Sequence, residues 1–162
     1  MSRVEISSKV RFFSNIQIAN TNSTYAAIRP LGGLISIPGA LRLVNRTGMV
    51  SSITLTDSTN GTPPIVLMFF RASVTGITDN TAITTSAANM QANFVGFVDI
   101  NKSDWIQLGA TSGSVATINN VGLNIECSDN INQTIYVAAI TNAAYSISAA
   151  NALKLSLAII QD

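Results

Sequence analysis

Apolar and polar residues alternate with period two along much of this chain, most clearly in its last third. Val121, Leu123, Ile125 and Cys127 are separated by Gly122, Asn124 and Glu126. Leu153, Leu155, Leu157 and Ile159 are separated by Lys154, Ser156 and Ala158. That period places one set of side chains on a buried face and the other toward water or a neighbour, so both stretches predict strands. Two further runs, Ile65–Phe70 and Thr134–Ile140, are apolar on both faces. Strands of that kind are covered on two sides and belong at the centre of a sheet.

The same reading extends along the rest of the chain. Val10 to Ala19 predicts a strand whose apolar set is Val10, Phe12, Ile16 and Ile18, with Arg11, Asn15 and Gln17 between them. Asn20 to Thr24 is a polar loop. Tyr25 to Ile37, broken by Pro30 and Gly32-Gly33, predicts an irregular edge segment, because proline cannot donate to a ladder. Leu41–Val44 and Met49–Thr56 predict strands, the second with Met49, Ile53 and Leu55 on one face and Ser52, Thr54 and Thr56 on the other. Asn60-Gly61 tolerates positive φ and predicts a turn. In the long polar stretch from Val74 to Asn93, Ser86 caps a predicted short helix over Ala87–Ala92. Phe94–Ile100 and Trp105–Gly109 predict two more strands.

Seven to nine short strands, at most one short helix and turns rich in Gly, Pro, Asn and Asp predict an all-β fold: a single antiparallel β-sandwich, jelly-roll-like. Strand–helix alternation is missing, which argues against a parallel α/β fold. The expected organisation is an N-terminal arm over residues 1–9 and one sandwich domain over 10–162.

Composition sharpens this picture. The chain has 162 residues and is 47% hydrophobic, enough for a sizeable core. Only 10% of residues are charged, against roughly a quarter in ordinary globular domains. Ser, Thr, Asn and Ala must therefore cover the surface, which suits a chain that packs against other subunits. A net charge of +1 gives no field for steering nucleic acid or an anionic membrane. Arg3, Lys9 and Arg11 make the N-terminus locally basic. No stretch approaches the ~20 apolar residues of a membrane-spanning helix. A single cysteine, Cys127, excludes an intrachain disulfide.

Candidate chemistry is sparse. The chain has no histidine, so the commonest general base and metal ligand are missing. Its eight carboxylates are Glu5, Asp57, Asp79, Asp99, Asp104, Glu126, Asp129 and Asp162, and most fall at strand ends and turns. Asp99, Asn101 and Asp104 lack the glycine and distal glutamate of a calcium loop. Gly109 to Gly113 is a small polar loop without the lysine of a phosphate-binding loop. No catalytic, cofactor-binding or metal-ligating residue is assigned. Trp105, Tyr136 and Tyr145 are the aromatics suited to stacking, and Trp105 at the head of a strand is more often a core or interface anchor.

Several of these segments carry a resemblance. They are Phe94–Ile100 with Trp105–Gly109, Ala116–Leu123, Ile135–Ile140, the aromatic loop Ala144-Tyr145-Ser146 and the closing strand Leu153–Asp162. In order and spacing, from Ile53 to Asp162, the chain resembles small bacteriophage virion structural proteins of the capsid decoration (cement) or head-accessory type. The resemblance implies a non-enzymatic β-sandwich on the virion, in contact with copies of itself, as a trimer by analogy, and with the major capsid protein. It implies no cofactor, small-molecule substrate, nucleic acid or membrane partner. Arg3, Lys9, Arg11, Trp105 and Tyr145 are the expected interface residues, and the Val74–Asn93 loop a further contact or tip. The alternative is a tail or head-fibre component that binds a receptor or glycan through exposed aromatics around Trp105 or Tyr145.

Overall fold

The structure, a computed structural model, describes residues 9–42, 46–129 and 131–161. Eleven strands are present among them: β1 (Lys9–Gln17), β2 (Ser23–Tyr25), β3 (Ile35–Ile37), β4 (Thr47–Asp57), β5 (Ile65–Phe70), β6 (Phe94–Ile100), β7 (Trp105–Gln107), β8 (Ser114–Glu126), β9 (Ile135–Thr141), β10 (Tyr145–Ile147) and β11 (Leu153–Gln161). One helix, α1 (Ala87–Asn93), precedes β6. The count exceeds the expected seven to nine because β2, β3 and β10 are three-residue strands, too short to show a period. Leu41 and Arg42, expected to open a strand, lie outside any strand, and residues 43–45 fall outside the described residues.

The strands form two principal antiparallel sheets. One runs β1-β11-β4-β8-β7 and the other β3-β9-β5-β6, with a small β2-β10 ribbon beside them. Four of the pairings nest: β1 with β11, β3 with β9, β4 with β8, and β5 with β6, while β11–β4 and β9–β5 join them into the two sheets. First pairs with last, second with next to last, and so inward to a hairpin. This nesting gives an antiparallel sandwich whose winding is like that of a jelly roll. As the apolar runs predict, β5 and β9 are interior to their sheet.

The main core lies between the sheets. Leu153, Leu155, Leu157 and Ile159 enter it from β11, Ile65, Leu67 and Phe69 from β5, and Ile135, Val137 and Ala139 from β9. A second, smaller cluster lies on the far side of the four-stranded sheet. There Phe70, Ala138 and Ile140 meet Val74 and Ile77, with Ile83, Met90 and Phe94 packed around them. The 71–93 segment therefore folds back over that sheet. Ser86 caps α1 by accepting from the Asn89 N–H at 3.2 Å.

Asp79 fastens this segment to the body. Its carboxylate accepts from the Gly32 N–H (2.6 Å), the Tyr25 hydroxyl (2.8 Å) and the Thr21 hydroxyl (2.8 Å). Tyr25 is fully buried, and burial pushes its hydroxyl above the ordinary 10.0. The folded state thus holds this proton more tightly than the unfolded chain does. The stability it contributes is fully present below pH ~10 and is lost as pH rises through the raised folded value. In a spectrophotometric titration, Tyr25 should ionise above the ordinary tyrosine value of 10.0, or only as the protein unfolds.

In four strands an irregularity shifts the side-chain phase; in β8 it lies between Asn119 and Leu123, where four steps face two of β4 and Asn120 and Gly122 take positive φ. In β1 the register with β11 shifts between Phe13 and Ile16, where Asn15 takes φ 56°. Ile16 and Ile18 point inward as expected, but ahead of the bulge the inward residue is Phe13, and Val10 and Phe12 point out. In β4 the register shifts between Val50 and Ser52, so Val50 is buried and Met49 is not, contrary to the sequence pattern. In β6 the shift at Val95 sends Phe94 to the outer cluster, edge-on to Phe70 at 5.9 Å, while Val98 and Ile100 stay inside. An extra residue in one strand of a pair reverses every side chain beyond it.

Candidate functional site

The two sides of the sandwich differ. The four-stranded sheet is covered in part by its own 71–93 segment, with Phe97 of β6 left 60% exposed, whereas the outer face of the five-stranded sheet is bare. Its cross-strand rows can be read from the register. One row is Val10–Ile160–Met49–Asn124, the next Phe12–Ala158–Ser52–Asn119. Beyond them come Ser156–Thr54–Thr117 and then Lys154–Thr56–Val115–Ile106. Lys154 carries the single charge on these rows. Thr54 and Thr117 bond to each other through their hydroxyls at 3.2 Å, which uses polarity that would otherwise need water. Phe12 stands at the margin of this face, 76% exposed, over a shallow groove lined by Ser52, Thr54, Ser156 and Ala158.

The sequence-predicted contact residues separate in space. Arg3 lies outside the described residues. Lys9 opens β1 opposite Gln161. Arg11 folds back, donating to the Gly39 carbonyl at 2.7 Å with its guanidinium 5.2 Å from the Phe13 ring centroid. Trp105 is a core anchor and not the exposed aromatic that a receptor- or glycan-binding tip around it would require. It is only 7% exposed, and its indole N–H donates to the Pro63 carbonyl at 2.9 Å. Tyr145 is half-buried, and its hydroxyl accepts from the Thr62 N–H at 2.7 Å. Gln107 donates to the Asn60 carbonyl at 2.7 Å, and the Ser114 hydroxyl donates to the Gly61 carbonyl. Together these side chains hold the 57–64 segment against one end of the sandwich. The Val74–Asn93 loop is likewise tied down, by Asp79 and the outer cluster, rather than free as a tip.

The carboxylates serve local structure. Asp57 is buried and accepts from the N–H and hydroxyl of Thr59. Asp104 accepts from the Asn101 N–H at 2.7 Å. Glu126 pairs with Arg71 beside a cleft of about 510 Å³ lined also by Thr47, Phe94, Val95 and Asn124. Asp129 accepts from the N–H groups of Ile131 and Asn132, and the Ile131 bond foremost holds its carboxyl below the ordinary 3.8. Cys127 is a packed thiol, pushed upward chiefly by burial. Among the described residues no three His, Cys, Asp or Glu side chains are grouped to hold a metal ion.

Sequence reading missed the outward turn of Val10 and Phe12. The available signal was Asn15 within an apolar strand, since asparagine is among the residues that most readily take positive φ.

No protein-family model matches the sequence, and no curated protein matches it. Among solved structures, one titled Desmodium yellow mottle tymovirus is similar over 99% of this chain and 84% of its own, at 13% identity and a TM-score of 0.28. An overlap that small transfers neither a fold nor a role.

Proposed function

We propose that this chain is a non-enzymatic virion structural protein that works by burying surface against copies of itself and against the major capsid protein, as a capsid decoration or cement subunit. The observation that carries the reading is the bare outer face of the five-stranded sheet. One face of the sandwich is covered in part by the chain's own loop and helix, while the other offers rows of Ser, Thr, Asn, Ala and apolar side chains with two charges, Lys154 and, at its end, Glu126 paired with Arg71. Such a face loses little on leaving water, because few charges have to be desolvated. Repeated by symmetry, contacts of the ~1,600 Å² typical of specific interfaces would hold neighbouring shell subunits together.

Jelly rolls occur in viral capsid proteins, lectins and cupins, so the fold alone does not select among these roles. The side chains do more. A chain without histidine lacks the usual cupin ligands. A receptor or glycan tip built on Trp105 would need that ring at the surface, and it belongs to the core; the exposed rings among the described residues are Phe12 and Phe97. Asp57, Asp104 and Asp129 serve turns and caps, Glu126 an ion pair and Asp79 a tether, which supports a role without bond-making chemistry.

Quantitative mass spectrometry of purified virions against a labelled copy of the chain tests the reading. Decoration predicts on the order of hundreds of copies per particle, as a symmetric shell requires. About a dozen copies would move the chain to the tail or a fibre, and its absence from mature particles would overturn the structural role.

A further inference from the structure

We propose that two copies of this chain associate through β1, which pairs antiparallel with its own twin so that two five-stranded sheets become one. This rests on the reading of the chain as a self-associating structural protein, and it names the edge that does the joining. An outermost strand presents unpaired backbone groups, and proteins shorten, charge or cover such edges unless they are to be paired. β3 and β7 are edges of three residues each. β6 packs close to β8, with the Leu123 side chain against Gly96. β1 is different. It runs for nine residues without a proline, and Val10 is 47% and Phe12 76% exposed. The cation that would guard its centre, Arg11, is drawn away to the Gly39 carbonyl and the Phe13 ring.

β1 also complements itself. With a two-fold axis at Phe12, Phe12 meets Phe12 of the second copy, Val10 meets Ser14 and Arg11 meets Phe13, and the register ends at the bulge residue Asn15. Residues directly opposite in an antiparallel pair share a face, and this register keeps 10, 12 and 14 on the outer side and 11 and 13 on the inner. No cation faces a cation, and the Arg11–Phe13 contact within one chain recurs across the axis. A parallel arrangement would instead bring Lys9 and Arg11 beside their twins. Two-fold pairing is the commonest symmetry of soluble oligomers, and here it joins two bare faces into one continuous docking surface.

Sedimentation equilibrium of the full chain tests this. The wild-type mass should rise with concentration from 17.0 kDa toward twice that value. Phe12→Asp sets two carboxylates face to face and should stay at single-chain mass. Its circular dichroism and Tm should be unchanged, because the ring it replaces is exposed. As an independent measurement, Phe12→Cys with Cys127→Ala should form a disulfide dimer on mild oxidation far faster than Ile131→Cys, an exposed position elsewhere, in the same background. A wild-type chain of single mass throughout, a Phe12→Asp dimer as tight as wild type, or equal cross-linking at both positions would each overturn β1 pairing. If the free chain is monomeric yet abundant in virions, β1 pairing falls while the structural role stands.

Discussion

Trp105→Ala is expected to lower the stability of the folded chain by about 3–5 kcal/mol, the cost of deleting a large buried aromatic. The indole fills the end of the main core, and its N–H is matched to the Pro63 carbonyl. Truncation leaves a cavity and removes that carbonyl's donor together. Domains are usually stable by only ~5–15 kcal/mol, so the loss is a large fraction of the total. Urea unfolding followed by circular dichroism reads it as a lower midpoint at unchanged slope. Trp105→Phe separates the terms, since it keeps most of the volume and loses the hydrogen bond; about 1–2 kcal/mol is expected. If Trp105 were an interface residue instead, Trp105→Ala would leave the isolated chain's midpoint in place and weaken only association.

The second large effect is at Gly113. Its φ of +77° lies in the left-handed region, where an L side chain costs about 1–2 kcal/mol. A Cβ there would also run into the Asp57 carbonyl oxygen, with the Ser58 Cα 3.2 Å away. Both obstacles are backbone, so neither can swing aside as a side-chain tip would. Gly113→Ala is therefore expected to cost about 2–4 kcal/mol, above the usual range for a single exposed turn. The comparison is Gly109→Ala, at φ +112° but with no atom within 4 Å of the added Cβ, which carries the conformational cost alone. Equal losses at the two sites would show that the clash at Gly113 is relieved by relaxation. Trp105 and Gly113 both grip the 57–64 segment, so the double variant should lose less than the sum of the two.

Both effects concern residues whose importance the linear pattern could not rank. Trp105 was legible as the head of a strand, but the stacking chemistry of tryptophan fits an exposed site as well as a core. What decides is that Pro63, forty-two positions earlier, offers its carbonyl across the end of the sandwich. Tyr145 is a similar case, since its partner Thr62 lies in a segment far away in the chain. Arg11, expected at a contact, is taken up by Gly39 and Phe13. The bare face was foreshadowed only by the low charge, which predicts uncharged surface somewhere without locating it.

Taken alone, the order of residues determined the all-β class, the central place of β5 and β9, the inward face of β11 and the Ser86-capped helix. Each of these follows from a period or a cap written within some ten consecutive residues. Only the tertiary structure decided the nested pairing of the strands, the partly covered and bare sides, and the phase of β1, β4, β6 and β8. The physical reason is the bulge. Whether Asn15, Ser51 or Val95 is an extra residue depends on how many residues the partner strand supplies opposite it; Ser51 is surplus against β11, whereas against β4 the surplus lies in β8. That number belongs to the pair, and one strand's pattern cannot contain it.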